Sequence, residues 1–289
     1  MSSTVVTSVV VLGSLSLLFG VLIAVATKKL WVWEDPRIDD VTAMLPGSNC
    51  GACGQPGCRA FAEGAIAGRV QPAQCTVMNA DGVKAVAEYL GVDAGAANKR
   101  VARLLCGGGS DLAICKAEYR GLETCAAAAA VAGGGKGCSW ACLGLADCER
   151  SCTFDAIFMN DRDLPVVIPS LCTACGDCVE ACPKDLFTLM PAEQKLIVQC
   201  RSLLEGSAAD ALCAAACNAC GRCAVDAAPG LIQMKNGLAV IDYSKNALAD
   251  PSATRRCPTN AIVWVEGMQF MHGRRTAPAA GSHHEAVRA

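Results

Sequence analysis

The sequence predicts an α+β protein assembled from one membrane-crossing helix, a small helical module and a series of compact hairpin-and-helix modules. Three observations predict it: an uncharged apolar run at the N-terminus, 21 cysteines grouped in sets, and a repeated step through the second half of the 289 residues. Cysteine at this density implies disulfides, zinc or iron–sulfur ligation, and the compartment decides much of that choice. Aromatics make up only 4 % of the chain while Ala and Gly abound, so one large core is not expected. Each module is expected to form around an inorganic nucleus instead. A formal net charge of −2 gives no ground for nucleic-acid binding.

From Ser2 to Thr27 no side chain is charged. Val5 to Ala26 is mostly apolar and, at a rise of about 1.5 Å per residue, spans roughly 33 Å, enough to cross a bilayer core. Lys28 and Lys29 follow at once, then Trp31 and Trp33, which suit a membrane interface. Positive charge on this flank orients residues 28–289 to the cytoplasmic side of the inner membrane. A cleaved secretory signal is the rival reading, because Ala24-Val25-Ala26 resembles a cleavage site. No Lys or Arg precedes the run, however, and it is longer than a usual signal core. Cytoplasmic thiols stay reduced, so anchor and cysteines together point to metal.

Behind the anchor (1–27) a charged, Pro-containing linker covers 28–48. A first cysteine module spans 49–91, with helices expected over Arg59–Ala67 and Val83–Leu90; Val83, Val86, Ala87 and Leu90 share the apolar face of the second. A Gly/Ala-rich connecting segment, 92–137, contains glycine triplets at 107–109 and 133–135. These lack the strand–helix context of a phosphate-binding loop and read as flexible linker. A dense cysteine array follows, divided into modules over 138–199 and 200–270. The polar tail, 271–289, is expected to be disordered. It holds all three histidines, His272, His283 and His284, so neither haem nor catalytic zinc is suggested.

The array repeats a step: Cys152-Thr-Phe-Asp-Ala-Ile, Cys182-Pro-Lys-Asp-Leu-Phe and Cys257-Pro-Thr-Asn-Ala-Ile. Repetition of this kind says more than any one motif. Between Leu231 and Asp242, Asn236-Gly237 marks a two-residue turn in a hairpin.

Cys172, Cys175, Cys178 and Cys182, followed by Pro183, form C-x2-C-x2-C-x3-C-P, the bacterial ferredoxin run for [4Fe–4S] clusters. Three cysteines on a tight loop cap three irons of one cubane, and the fourth points to the neighbouring cluster. The partner run is Cys138, Cys142, Cys148 and Cys152, with Thr153 where proline is usual. Crossed pairing then assigns one cluster to Cys138, Cys142, Cys148 and Cys182, and another to Cys172, Cys175, Cys178 and Cys152. Cys217, Cys220 and Cys223 repeat the triplet, but Ala227 stands where a fourth cysteine would be, and no triplet precedes Cys257. One complete set survives there: Cys217, Cys220, Cys223 and Cys257. The first module offers Cys50-Gly-Ala-Cys53-Gly-Gln-Pro-Gly-Cys58 and then Cys75. That spacing could bind zinc on chemistry alone, but beside ferredoxin modules a cluster is expected. Four [4Fe–4S] clusters are therefore expected. Cys106, Cys115, Cys125, Cys200 and Cys213 fall outside the sets. They read as buried thiols, with a further site using Cys106 and Cys125 as the alternative.

The anchor, the Cys50–Cys75 module and the array, including Gly137-Cys138-Ser-Trp-Ala-Cys142-Leu-Gly-Leu-Ala-Asp-Cys148, resemble the B subunits of the Rnf complex in their longer, multi-cluster form. That family belongs to a membrane-bound ferredoxin:NAD+ oxidoreductase, and the resemblance covers nearly the whole chain. It implies that the chain takes electrons from reduced soluble ferredoxin and passes them to flavin-bearing and integral membrane subunits. There, Na+ or H+ transport and NAD+ reduction would follow. Thr153 and the eroded third module depart from the pattern and bear on the number of clusters. No residue reads as a catalytic acid, base or nucleophile. The rival functions are the iron–sulfur subunit of a hydrogenase or formate dehydrogenase and, from another class, a zinc-binding interaction protein.

Overall fold

The computed structural model describes residues 3–30, 34–96 and 99–270. Trp31 and Trp33, expected at the membrane interface, and the tail expected to be disordered lie outside the described residues. Helix α1, Ser3–Lys29, is the only element among the described residues long and apolar enough to cross a membrane, with a mean hydropathy of 2.7 over its most apolar 18 residues. Its large apolar side chains are exposed on all sides. Three of its hydroxyls bond back to the helix: Thr7 donates to the Ser3 carbonyl at 2.8 Å, Ser14 to Val11 at 2.9 Å and Thr27 to Ile23 at 2.8 Å. A helix that satisfies its own polar groups and exposes apolar surface all round is built for lipid.

The first module packs α2 (Arg37–Met44), α3 (Cys58–Ile66) and α4 (Ala80–Leu90) around Val41, Phe61, Ala62, Ala65, Val70 and Val86. Both helices expected from the periodicity are present. The Asn79 side chain caps α4 by accepting from the Gly82 N–H at 2.8 Å, and Gly91 ends it at φ 65°. Phe61, 1 % exposed, is the largest side chain of this core. Phe61→Ala is expected to destabilise the module by about 3–5 kcal/mol. The check is a lowered thermal midpoint of the full chain in detergent, followed by circular dichroism.

The rest of the described chain holds β1 (Arg100–Leu104), α5 (Cys125–Ala130), α6 (Asp147–Arg150), β2 (Ile157–Met159), β3 (Pro165–Val167), α7 (Asp177–Glu180), β4 (Phe187–Pro191) and β5 (Leu196–Val198). Then come α8 (Gly206–Asp210), α9 (Arg222–Asp226), β6 (Ile232–Lys235), β7 (Leu238–Ile241), α10 (Ser252–Arg255) and β8 (Ile262–Trp264). The strands form four antiparallel pairs: β1 with β4, β2 with β3, β5 with β8, and β6 with β7. The β6–β7 hairpin turns at Asn236 (φ 49°) and Gly237 (φ 76°), as its sequence predicts.

Two expectations change here. The segment 92–137 is more than a connector, because β1 within it pairs with β4, Leu104 opposite Phe187. Its glycine triplets are also not free linker. A Cβ on Gly108 would stand 2.8 Å from the Cys213 sulfur, and one on Gly109 2.7 Å from the Arg162 carbonyl. Gly133, Gly134 and Gly135 all have φ above 70°, a conformation that suits glycine. The chain then closes on itself at Leu104. Its N–H donates to Gln269 Oε1 at 3.0 Å, and its carbonyl accepts from Gln269 Nε2 at 3.1 Å.

One loop recurs three times. Before α7 it carries Ala174 (φ 60°) and Gly176 (φ 103°), before α9 Ala219 (φ 62°) and Gly221 (φ 71°), and before α6 Gly144 (φ 74°) and Ala146 (φ 67°). Alanine in the left-handed region is disfavoured, so the surroundings must hold these loops in shape. The repeated step has its own left-handed residue, Asp155 (φ 50°), Asp185 (φ 51°) or Asn260 (φ 53°), types that tolerate it.

Candidate metal centres

Cys50, Cys53, Cys58 and Cys75 line one cavity. Cys58 opens α3, and its N–H is fixed by Asn49 Oδ1 at 2.8 Å. Burial raises the Cys75 thiol, the N–H groups of Val77 and Met78 oppose that rise, and Cys53 and Cys58 add to it. In the same lining, Thr76 Oγ1 is buried with no partner. A second cavity is lined by Cys217, Cys220, Cys223 and Cys257. Burial, with Cys217, Cys257 and Cys220 nearby, pushes the Cys223 thiol up to about 11.

Cys178 is pushed up to about 12, first by burial and then by Cys172, Cys175 and Cys152, which identifies its three neighbours. The Cys175 sulfur faces the N–H of Asp177. These two sets and the first bring together the residues that the sequence grouped.

The remaining set differs from expectation. Burial raises Cys148, and the thiols next to it are Cys125, Cys178 and Cys182. Cys142 is raised by burial and neighbours Cys106, Cys148 and Cys125. Cys125 in turn neighbours Cys182, and its sulfur faces the N–H groups of Asp147 and Leu145. Cys138, expected beside Cys142, Cys148 and Cys182, instead lines a separate cavity with Cys106, Cys200 and Cys213. The physical reason lies in the recurrent loop. Overlaying Cys142–Cys148 on Cys172–Cys178 puts Leu145 at the position of Cys175 and Asp147 at that of Asp177. The loop before α6 lacks its middle cysteine, and Cys125 brings a sulfur to the same amides from the first turn of α5. Ala126 N–H bonded to Asp147 Oδ2 at 3.0 Å, and Arg150 bonded to the carbonyls of Glu123 and Leu145 at 2.7 Å each, hold α5 there.

Of the five cysteines outside the sequence sets, only Cys115 joins no group; it is exposed. Cys106 and Cys125, the pair offered as an alternative site, belong to different groups. Cys213 does not stand in for the ligand lost at Ala227, because it faces the third cavity. Nothing in the sequence singles out Arg103. It is 2 % exposed, donates to the Gly267 carbonyl at 2.7 Å and leaves Nε without a partner. Burial lowers its pKa, and Cys172 is the one charge that opposes this.

Among the described residues no three cysteine, histidine or acidic side chains converge as one metal ion requires. Zinc holds its thiolates at about 2.3 Å. Three groups of four thiols stand around cavities, which suits a cubane with a volume of its own, and amides directed at sulfur are what such clusters receive.

Comparison with known proteins agrees with this chemistry. A family model described as "Putative Fe-S cluster" matches residues 45–77, and one described as "4Fe-4S binding domain" matches residues 165–188. The chain is 42 % identical over 91 % of its length, and 78 % of the relative, to the B subunit of the Na(+)-translocating ferredoxin:NAD(+) oxidoreductase complex of Acetobacterium woodii. It is 35 % identical to the B subunit of the ion-translocating oxidoreductase complex of Methanosarcina acetivorans, over 91 % of this chain and 99 % of that one. It is also 35 % identical to the B subunit of the proton-translocating ferredoxin:NAD(+) oxidoreductase complex of Clostridium ljungdahlii, over 97 % and 100 %.

Proposed function

This chain belongs to the B subunits of ion-translocating ferredoxin:NAD+ oxidoreductase complexes, and from that premise we propose that it is the subunit through which electrons from reduced ferredoxin enter the complex. It is an iron–sulfur electron-transfer subunit of a membrane-associated complex. When bound, [4Fe–4S] clusters supply one-electron transfer over a wide range of potentials. The observation that carries the reading is the recurrence of four thiols around a cavity, with backbone amides turned toward sulfur.

In this reading the ligand sets are Cys50, Cys53, Cys58 and Cys75; Cys152, Cys172, Cys175 and Cys178; Cys125, Cys142, Cys148 and Cys182; and Cys217, Cys220, Cys223 and Cys257. The first two sets face one another across a pocket lined by Cys53, Cys75 and Cys172. Cys148 and Cys178 join the second to the third. The donor is soluble ferredoxin and the acceptors are flavin-bearing and integral membrane subunits. The cysteine modules face the cytoplasm, as Lys28 and Lys29 at the end of α1 favour.

Anaerobic purification with iron and acid-labile sulfide analysis tests the reading. A brown protein that reduced ferredoxin reduces further supports it, whereas a colourless protein holding zinc and no sulfide sinks it. Recovery with a nickel or molybdenum subunit, and without flavin-bearing membrane subunits, would favour the hydrogenase or formate dehydrogenase alternative. Arg103 provides a finer check. A buried cation favours the more negative, reduced state of a nearby centre, and through an effective dielectric near 20 its charge is worth about 1–2 kcal/mol, on the order of 40–90 mV. Arg103→Met is expected to lower the midpoint potential of the Cys172 centre by about that much, as read in an EPR-monitored redox titration.

A further inference from the structure

The third cavity is assembled from four distant pieces of chain. Cys106 follows β1, Cys138 precedes the loop into α6, Cys200 follows β5, and Cys213 follows α8. Cys106, Cys200 and Cys213 are buried and Cys138 is partly buried. Cys106 and Cys200 neighbour one another, Cys213 neighbours Cys106, and Cys138 neighbours both Cys200 and Cys213. All four are free thiols.

Buried cysteine used as apolar filling needs no directed donors, yet these sulfurs have them. Cys142 N–H donates to Cys106 Sγ at 3.4 Å, and Ser202 N–H to Cys200 Sγ at 3.4 Å. The N–H groups of Gly108, Cys217 and Ala215 face Cys106, Cys200 and Cys213 in turn. The backbone is also cut back to admit them, since a side chain on Gly108 would meet Cys213 Sγ at 2.8 Å. Directed amides of this kind also reach sulfur in each of the other four sets, at Cys75, Cys175, Cys125 and Cys223.

We propose that Cys106, Cys138, Cys200 and Cys213 hold a fifth [4Fe–4S] cluster, on the reading above that the chain is an iron–sulfur carrier. Five sets of four then account for every one of the 21 cysteines except Cys115, and that residue is exposed. The position of the site gives it a purpose. Its Cys106 sulfur is bonded by the amide of Cys142, a ligand of the third set, and its Cys200 sulfur is faced by the amide of Cys217, a ligand of the last. It is the link that connects the Cys217–Cys257 centre with the other three.

The test is iron and acid-labile sulfide per chain in the anaerobically purified full-length protein, with Mössbauer and EPR spectra. Five clusters give about twenty irons, four to a cluster. Wild type at about twenty, with Cys106→Ala and Cys213→Ala each between about sixteen and nineteen, their double variant at about sixteen and the remaining EPR signals retained, establishes the site. The Cys115→Ala control should keep about twenty. Wild type at about sixteen with the two single variants unchanged overturns the fifth site and leaves the carrier reading standing; zinc in the quartet also overturns it. A colourless chain without sulfide would defeat the carrier reading itself. The wild-type count decides even if a variant fails to fold.

Discussion

Replacing Cys125 with alanine should cost the protein one iron–sulfur centre while leaving the others in place. The expectation follows from a substitution within the repeat. The loops before α7 and α9 each carry a middle cysteine, Cys175 or Cys220, whereas the loop before α6 carries Leu145 there. Cys125 turns its sulfur to the amides of Leu145 and Asp147 and neighbours Cys148 and Cys182. Removing it leaves three thiolates for four irons, so the site either loses one iron or empties. Iron per chain should fall by between about one and four, with one EPR signal altered. Ligands of one centre act as a unit, so Cys125→Ala combined with Cys182→Ala should lose no more than the four or so irons of one centre. Combined with Cys138→Ala, it should lose the iron of two centres. Unchanged iron and spectra in Cys125→Ala would show that Cys125 is not a ligand, and a loss of more than about four irons with Cys182→Ala would show that the two serve different centres.

Deleting residues 1–30 should move the protein from the membrane to the soluble fraction with its iron content intact. The thirteen Val, Leu, Ile and Phe side chains between Val6 and Val25 that are exposed on α1 together favour insertion by roughly 4–8 kcal/mol, at about 0.3–0.6 kcal/mol each. At about 1.4 kcal/mol per tenfold, that is a preference for the bilayer of roughly a thousandfold to several hundred-thousandfold. Nothing packs against the described part of this helix, while the first module has its own core of Val41, Phe61 and Val86. Membrane flotation with iron analysis is the check. A truncated chain that still floats would mean that another surface binds lipid or an integral membrane protein.

The helical anchor, the α3 and α4 helices, the β6–β7 hairpin and three of the cysteine groups could be read from the sequence because each is a local pattern. A 3.6-residue period, an Asn-Gly turn or a C-x2-C-x2-C triplet needs only its neighbours to have meaning. Cys106, Cys138, Cys200 and Cys213 have no such pattern. They meet only because β1 pairs with β4 and β5 with β8, strands drawn from distant segments. Cys106 accepts from an amide 36 residues away. Cys125 leaves a trace that can be followed: five residues lie between Cys142 and Cys148, as between Cys172 and Cys178, with the middle position vacant at Leu145. Counting ligands along the chain instead assigns Cys138 to that vacancy. The glycine triplets read as linker for a related reason, since the atoms nearest Gly108, Gly109 and Gly135 come from Cys213, Arg162 and Ala117, well away along the chain.

The clasp at Leu104 also has a temporal meaning. Its partner, Gln269, lies 165 residues further along the chain. At a synthesis rate of about 5–20 residues per second, roughly 8–33 s pass between the emergence of the two. During that interval β1 lacks its final partner, and β5 waits for β8 with its hydrogen-bonding edge open. Contacts of such long range close late and slowly. The shell around the sulfurs therefore stays open until the last strand emerges, and ribosome-stalled chains ending before residue 262 should be the form most vulnerable to oxygen and to proteases.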